Sequence, residues 1–396
     1  MQAARPGGLF VFYFPRTHCA FLTPQLSPSF VIPMSLSLLG WDDSFARHFA
    51  SLNAPDLIPA RVVLEHKHAY TVLCAHGELA ATCTGKLLHH STARSDLPAV
   101  GDWVAARPRP GETRADIHAV LPRKTKFSRR AAGEGTEQIV AANVDTVFLV
   151  TALDHNFNLR RIERYLAVAW DSGAQPVVLL NKSDLHPDPA AARAGVESVA
   201  VGAPVIALSA LDSSAFDPRD ALAPWLGVGR TVAFLGSSGV GKSTLINRLL
   251  GTAHQVTGAV SEAVNKGRHT TTHRELLLAP SGALVMDTPG MRELQLWDVA
   301  ADTLDTTFAD IAAVAVRCRF TDCSHRSEPG CAIQSALDDG TLDFDRWQSF
   351  QKLAREQAHA ARKADPRLAR ERRTQWKKIH KAMRATTRME RRSGDS

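Results

Sequence analysis

The hydrophobic pattern of the chain changes twice along its length. Between residues 57 and 125, short β-prone segments alternate with turn residues and predict five strands, at 61–65, 69–74, 79–84, 100–106 and 115–121. After Asn143 the pattern becomes continuous apolar runs separated by helix-like stretches, with runs at 145–150, 176–180, 205–208, 231–235 and 283–286. Such alternation indicates a mostly parallel sheet with helices on both faces. From about Val299 onward the pattern is helical.

These changes predict a multidomain α/β protein with the following parts. Residues 57–125 form a five-stranded, OB-like β-barrel, residues 126–298 the parallel α/β domain, and residues 299–350 a helical domain with a Cys/His cluster. Residues 351–396 form a basic helical tail, and residues 1–56 an extension that is expected to be disordered. OB barrels commonly bind nucleic acids, but a fold alone does not establish this function.

The first 33 residues differ from the rest of the chain. They contain a six-residue apolar run that is followed by four prolines, and no convincing small-residue cleavage site follows that run. The run is shorter than the roughly 7–15 residues of a secretory signal. Met34 then opens an ordinary polar segment, so Met34 is a candidate for the natural start.

Composition excludes several classes of protein. The chain has 396 residues, of which 44% are hydrophobic and 22% charged, as in a globular protein. No apolar run approaches the roughly 18–20 residues of a membrane helix, so no membrane partner is expected. Six cysteines are too few for a disulfide scaffold, which favours a cytoplasmic location.

Positive charge is concentrated at the C-terminus. Residues 351–396 contain fifteen Lys and Arg against five Asp and Glu, whereas the rest of the chain is slightly negative. A basic segment of this kind suggests a polyanionic partner such as RNA, with residues 377–384 forming a basic helix after Pro366. A solvated helix without a partner is the alternative.

A phosphate-binding loop follows the apolar run 231–235. The loop fits the pattern G-x-x-x-x-G-K-[ST] and precedes a helix-like stretch, which is the context that the motif requires. The candidate nucleotide-binding residues are Gly236, Ser237, Ser238, Gly239, Val240, Gly241, Lys242, Ser243 and Thr244. We expect Lys242 to reach the β- and γ-phosphates and Ser243 to ligate Mg²⁺.

A second acidic motif ends the apolar run 283–286. Asp287-Thr-Pro-Gly290 by itself is typical of a simple turn. Its position downstream of the phosphate loop favours a functional interpretation. Asp287 then reaches Mg²⁺ directly or through water, and the Gly290 backbone N–H approaches the γ-phosphate.

The remaining motifs are of the kind that recognises the base of a bound nucleotide. Asn181-Lys182-Ser183-Asp184 follows the run 176–180 and resembles the N-K-x-D guanine motif of translation-factor-type GTPases. The Asp184 carboxylate can accept hydrogen bonds from guanine N1–H and the exocyclic amino group, a donor pair that adenine lacks. Ser209-Ala210, after the run 205–208, resembles the S-A-x loop that also contacts the base. GTP and GDP are therefore the expected ligands.

The order of these motifs is rotated. In ordinary GTPases the phosphate loop comes first, but here the base motifs at 181 and 209 precede the loop at 236 and the acidic motif at 287. This order indicates a circularly permuted GTPase domain. Because the ends of a compact domain often lie close together, a rotated chain can build the same site.

With this order, the chain resembles the ribosome small-subunit-dependent GTPase A family, also called YjeQ/EngC-like circularly permuted GTPases, over about residues 57–350. The resemblance also covers Gly267-Arg-His-Thr-Thr-Thr272 and the Cys/His cluster. It implies a GTP hydrolase that is stimulated by the small ribosomal subunit and acts late in the maturation of that subunit. It further implies that the barrel contacts ribosomal RNA. A monomer is expected.

Residues 267–272 lie where the first switch belongs. Thr271, in preference to Thr270, is the candidate Mg²⁺ ligand. Many GTPases carry a Gln directly after D-x-x-G to orient the attacking water, but here that residue is Met291. His269 is a candidate for this catalytic role, and contact with RNA or phosphate is an equally weighted alternative.

A Cys/His cluster lies in the helical domain. Cys318, Cys323, His325 and Cys331 fall within 14 residues. Three thiolates and an imidazole suit one tetrahedral, structural Zn²⁺, and this set matches the zinc site of the resembled family. The other cysteines, Cys19, Cys74 and Cys83, are scattered.

Two other functions compete with GTP hydrolysis. An RNA-binding nucleotide sensor with little turnover fits the same motifs. An ATP-dependent kinase is disfavoured by Asn181 and Asp184.

Overall fold

The structure is a computed structural model. It describes residues 35–66, 69–130, 137–155, 157–211, 217–251, 274–287, 301–326 and 328–364. The candidate start at Met34 and the basic tail beyond residue 364 lie outside these ranges. Among the helices that are described, none combines the length and the apolar character needed to cross a membrane.

The described chain begins with a 3₁₀ turn at Leu36–Leu39 and helix α1 (Asp43–Ala50). The Asp42 carboxylate caps α1 by accepting hydrogen bonds from the backbone N–H groups of its first turn. Trp41 packs edge-on against Trp103 with ring centroids 4.7 Å apart. The expectation of disorder for residues 1–56 is therefore wrong for residues 36–50. A short helix held by two or three aromatic side chains leaves too little periodicity for its pattern to be recognised.

A closed barrel follows. Its elements are β1 (Ile58–His66), β2 (Ala69–Cys74), β3 (Gly77–Cys83), helix α2 (Gly85–His90), β4 (Trp103–Pro108) and β5 (Arg114–Val120). The strand order is β1-β2-β3-β5-β4, and β4 pairs again with β1 to close the barrel. The predicted five-stranded OB-like barrel is confirmed.

A hairpin of β6 (Lys126–Arg130) and β7 (Glu137–Ala142) leads into the α/β domain. Its elements are β8 (Thr146–Ala152), α3 (Leu159–Ser172), β9 (Gln175–Asn181), α4 (Pro189–Glu197), β10 (Val205–Ala207), α5 (Pro218–Leu222), β11 (Thr231–Leu235), α6 (Lys242–Leu250), β12 (Arg274–Leu278) and β13 (Leu284–Asp287). The strand order is β10-β9-β8-β11-β13-β12, in which only β12 runs antiparallel to its neighbour within this domain.

Alternate residues of each central strand enter two separate cores. In β8, Val147 and Leu149 join the cluster that contains Ile162 of α3, whereas Phe148 and Val150 join the cluster with Leu245 of α6. A strand buried on both faces is apolar at nearly every position. This confirms the prediction of a parallel sheet covered by helices on both faces.

The chain reverses its direction across the sheet between β8 and β11. It proceeds outward from β8 to β9 and β10, and then returns to place β11 on the other side of β8. In open α/β sheets such a switch point opens a crevice at the carboxyl ends of the strands, where ligands bind. The predicted base and phosphate motifs all follow strands that end at this edge.

The barrel and the α/β domain share one sheet. Strand β1 pairs antiparallel with β12 through Leu64↔Glu275 and Glu65↔Arg274. The Arg274 guanidinium also lies 3.3 Å from the Glu65 carboxylate. The strand that follows the predicted switch segment is therefore hydrogen-bonded to the barrel.

The C-terminal module contains α7 (Ala301–Thr307), α8 (Ala309–Ala315), α9 (Ala332–Asp338) and α10 (Phe344–Ala364). Phe308 and Trp347 are buried in the same cluster as Ile162 and Leu166 of α3. The module therefore packs on the face of the α/β domain that α3 covers.

Candidate nucleotide site and metal centre

The phosphate loop lies between β11 and α6. Gly241 caps α6 with φ +97°, a left-handed conformation that favours glycine. The Lys242 ammonium donates to the carbonyls of Gly236 and Ser237 at 2.7 and 2.5 Å. Lys242 is nearly buried, so its charge is held over the loop close to the α6 N-terminus. Both features favour an anion at this point.

One buried side chain connects the two base motifs with the phosphate loop. The Asn181 side-chain amide donates to the Val240 carbonyl at 2.7 Å and accepts from the Ala210 backbone N–H at 2.9 Å. Asn181 is 2% exposed. Segments 29 and 59 residues away in sequence therefore meet at a single amide group. The structure thus brings the three predicted nucleotide motifs together at one place.

The next residue carries a charge pair. Lys182 has φ +59°, and its ammonium lies 2.9 Å from the carboxylate of Asp154, in the segment after β8. Sequence reasoning did not single out Asp154. A signal was present, because this acid follows an apolar run that ends at the same edge of the sheet.

The other base-motif residues lie at the rim. Ser183 begins a 3₁₀ turn, Asp184 is exposed, Ser209 is partly buried and Ala210 is buried. An exposed carboxylate at this rim is open to a base that enters the crevice.

The acidic residue of the second motif ends β13. Asp287 is 8% exposed and lies at the end of β13, the strand beside β11. The loop after β11 leads to Ser243 in the first turn of α6. Of the phosphate-loop residues, Ser238 and Gly239 are exposed and Thr244 is partly buried. Three candidates, His269, Thr271 and Gly290, lie outside the described residues.

Helix α3 contributes a contact that the sequence did not reveal. The Arg161 guanidinium lies 3.3 Å from the Ser237 hydroxyl oxygen, to which it donates. A helix-like stretch between the runs 145–150 and 176–180 was predicted, but its sequence carries no signal of a contact 76 residues away.

The Cys/His cluster forms a compact donor set between α8 and α9. The ligand atoms of Cys318, Cys323, His325 and Cys331 all lie within 4.8 Å of one another. The His325 Nδ1 atom is 3.5 Å from the Sγ atoms of Cys318 and Cys331, which are 4.0 Å apart. A tetrahedral zinc with bonds of about 2.0–2.3 Å separates its ligands by roughly 3.5–3.8 Å. The donor set therefore fits Zn²⁺.

The surroundings orient two of these ligands. Gln334 donates to the His325 carbonyl at 2.7 Å, and the His325 ring packs edge-on against Trp347. Burial opposes the charged form of Cys318, but backbone N–H groups at the start of α9 and the neighbouring thiols outweigh it. The pKa of this thiol is consequently lowered. Its thiolate, the form that binds a metal, is thereby favoured.

Comparisons with known proteins agree with this geometry. The profile of the RsgA GTPase family matches residues 120–297. A protein of Opitutus terrae named small ribosomal subunit biogenesis GTPase RsgA is 61% identical, over 90% of this chain and 99% of its own length. One of the same name from Syntrophotalea carbinolica is 47% identical, over 83% of this chain and 91% of its own length.

Solved structures show the same architecture. The crystal structure of YjeQ from Thermotoga maritima matches with a TM-score of 0.57 at 27% identity, covering 76% of this chain and 99% of that one. YloQ, described as a circularly permuted GTPase, matches with a TM-score of 0.54 at 23% identity, covering 76% of this chain and 96% of that one, which supports the fold. From the two curated relatives in particular, it follows that this chain belongs to the RsgA family of circularly permuted GTPases.

Proposed function

We propose that this protein hydrolyses GTP to GDP and phosphate during late maturation of the small ribosomal subunit, which stimulates the reaction. The observation that carries the proposal is the position of Asn181, whose buried amide joins the phosphate loop to both base motifs. Such a junction is required for one pocket that holds a base and a triphosphate together. The names of the related proteins support the assignment to the small subunit.

The chain's own groups account for base selection. The Asp184 carboxylate accepts from the two N–H donors of guanine, and the Lys182 stem lies along the base. The Asp154 carboxylate, 2.9 Å from the Lys182 ammonium, holds that side chain in place. ATP is disfavoured because adenine offers no equivalent donor pair to Asp184.

The phosphate side uses positive charge and aligned backbone donors. The N–H groups of the loop and the α6 N-terminus bind the phosphates, and Lys242 turns from the loop carbonyls toward the β- and γ-oxygens. Ser243, Thr271 and Asp287 are the residues that would hold Mg²⁺, which neutralises charge on the phosphates when it is bound. The Gly290 N–H approaches the γ-phosphate. His269 orients the attacking water, or binds RNA instead.

Zinc has a structural role in this proposal. Cys318, Cys323, His325 and Cys331 supply all four positions of a tetrahedral site, so no position is open for catalysis. The metal holds the loop between α8 and α9, and thereby the shape of the C-terminal module.

The expected partners follow from the same assignment. The barrel and the basic segment 351–396 bind ribosomal RNA, and the protein acts as a monomer in the cytoplasm, where the small subunit matures. Deletion of residues 365–396 should lower the salt dependence of small-subunit binding. The log–log slope should fall by about 0.7–0.9 for each phosphate that the shortened chain no longer neutralises.

The deciding experiment is GTP turnover by the purified protein with and without small ribosomal subunits. Lys242→Ala serves as the inactive control, and ATP and GDP serve as competitors. Strong stimulation that disappears in the control supports the proposal. Tight GTP binding without stimulated turnover supports the nucleotide sensor, which Met291 in the usual glutamine position favours. Equal competition by ATP contradicts guanine selection.

A further inference from the structure

Helix α3 and the segment just before it contact both ends of the candidate nucleotide site. Its first turn is fixed because the Asn158 side chain accepts from the Arg161 backbone N–H at 3.1 Å. From that turn, the Arg161 guanidinium reaches the Ser237 hydroxyl in the phosphate loop. The segment just before the helix carries Asp154, the partner of Lys182. One short stretch therefore supports the base side and the phosphate side.

The same helix is clamped to the C-terminal module by a buried ion network. Glu163 is fully buried, and its Oε1 atom accepts from Arg160 and from Arg346 of α10, each at 2.7 Å. Arg346 is itself 6% exposed and donates two further bonds to Asp310 at 2.6 and 2.7 Å. Its guanidinium carbon also lies 4.9 Å from the centre of the Phe308 ring. The side chains of Glu163 on α3 and Arg346 on α10 therefore have little freedom to move.

Helix geometry separates these two sets of contacts. Arg161 and Glu163 are two residues apart, which places them about 200° apart around the helix and about 3 Å apart along it. Arg160 and Glu163, at spacing i,i+3, share the face toward the module. A displacement of α3 by the module is therefore passed to Arg161 on the opposite face.

We infer, building on the proposed function, that Arg161 is a positioning residue for the triphosphate end of the site and that the Glu163–Arg346 clamp sets its position. A guanidinium beside the phosphate loop adds a second positive charge to that of Lys242. Its hydrogen bond to the Ser237 hydroxyl also ties this residue of the phosphate loop to α3. This function fits a site in which Met291 replaces the glutamine that usually orients the attacking water.

The test compares the full-length wild type with Arg161→Met, Arg161→Lys, Glu163→Gln and Arg164→Ala. Arg164 is the matched control, because its partly exposed pair with Glu356 also joins α3 to α10 but lies outside the buried network. Such an exposed ion pair contributes little, so its loss shows whether the removal of any contact between α3 and the module has the same effect. Steady-state GTP hydrolysis gives kcat and KM. Titration with fluorescent GDP and a non-hydrolysable GTP analogue gives both affinities. Thermal unfolding reports whether each variant is folded.

We expect Arg161→Met to lower kcat by at least about tenfold, as for the loss of a hydrogen bond from a charged group. It should also weaken binding of the GTP analogue more than binding of GDP. Arg161→Lys restores part of the rate, Glu163→Gln lowers it in the same direction, and Arg164→Ala leaves it unchanged. Where Arg161→Met does not fold, the neutral variant Arg161→Gln takes its place, and a rate equal to wild type together with unchanged affinities in that variant overturns the inference.

Other outcomes separate this inference from the proposed function. Wild-type rates in Arg161→Met, or equal losses in Arg161→Met and Arg164→Ala, overturn the positioning role while GTP hydrolysis itself stands. A slow Arg161→Met beside a fully active Glu163→Gln overturns the clamp. A wild type that binds neither nucleotide overturns the proposed function and this inference with it.

Discussion

Replacement of Asn181 by alanine removes the one side chain that joins the three nucleotide motifs. The change breaks the 2.7 Å bond to the Val240 carbonyl and the 2.9 Å bond from the Ala210 N–H. Both partner residues are buried at 4% and 3% exposure, so water does not readily replace the lost amide. A buried polar group left without a partner costs about 1–3 kcal/mol.

Two such groups, with some relaxation of the loops, give a total cost of about 2–4 kcal/mol. If this cost falls on the geometry of the nucleotide site, the affinity for GDP falls by about 30- to 700-fold, at about 1.4 kcal/mol per factor of ten. Asn181→Asp keeps the acceptor for Ala210 but places a carboxylate oxygen against the Val240 carbonyl. It should therefore bind GDP no better than the alanine variant does.

The assay is titration with a fluorescent GDP analogue, accompanied by thermal unfolding of each variant. Asn53→Ala removes the same side chain from an exposed position and serves as the control in the titration. Because Asn53 has φ +46°, where alanine is strained, the melting temperature of this variant is not used as a reference. GDP affinity within twofold of wild type in a folded Asn181→Ala protein would refute the argument that this amide aligns the site.

Three further changes probe other parts of the structure. Gly241→Ala should weaken GDP binding by at least about fivefold in the same titration, because its Cβ would lie 2.1 Å from the Asn181 amide nitrogen at φ +97°, where backbone strain costs about 1–3 kcal/mol. Cys331→Ser should lose bound zinc and lower the melting temperature, measured by metal analysis and calorimetry; full zinc content would contradict the ligand set. Burial opposes the charged form of Asp310, but bonds from Arg346 outweigh it and lower the pKa of Asp310 below 3.8. The Asp310–Arg346 pair therefore stabilises the fold at pH values above 3.8, and this stabilisation is lost as the pH falls through the lowered pKa of Asp310. The melting temperature of Asp310→Asn should consequently depend less on pH below about 4 than that of the wild type.

The sheet and the barrel were predictable because their buried positions form regular patterns within short stretches of sequence. Residues 147–150 and 232–235 are apolar at every position, since β8 and β11 are covered on both faces. The short segments of 57–125 alternate with turns, as the barrel requires. The Cys/His cluster was also predictable, because all four residues lie within one short stretch of chain and their types define a possible donor set for a metal ion.

What the sequence did not reveal depends on contacts between distant residues. Helix α1 is held by Trp41 and Phe45 against Trp103, and no local pattern announces that packing. Charged residues on helices usually lie in water, so Glu163 gave no sign that it is buried against Arg346, 183 residues later. Such pairings are determined by the tertiary fold and not by spacing in the sequence.

The central claim is that a rotated chain builds one pocket in which Asp184 reads guanine. In Asp184→Asn, one acceptor is exchanged for an amide donor. The variant should therefore bind GTP more weakly. It should bind xanthosine triphosphate more tightly, because the 2-oxo group of xanthine accepts a hydrogen bond. Competition titration of wild type and variant with both nucleotides measures this directly. We expect the preference to reverse, with the affinity for each nucleotide changing by at least about tenfold, as for one correctly or wrongly paired buried hydrogen bond. Unchanged preference for GTP in the variant would contradict it.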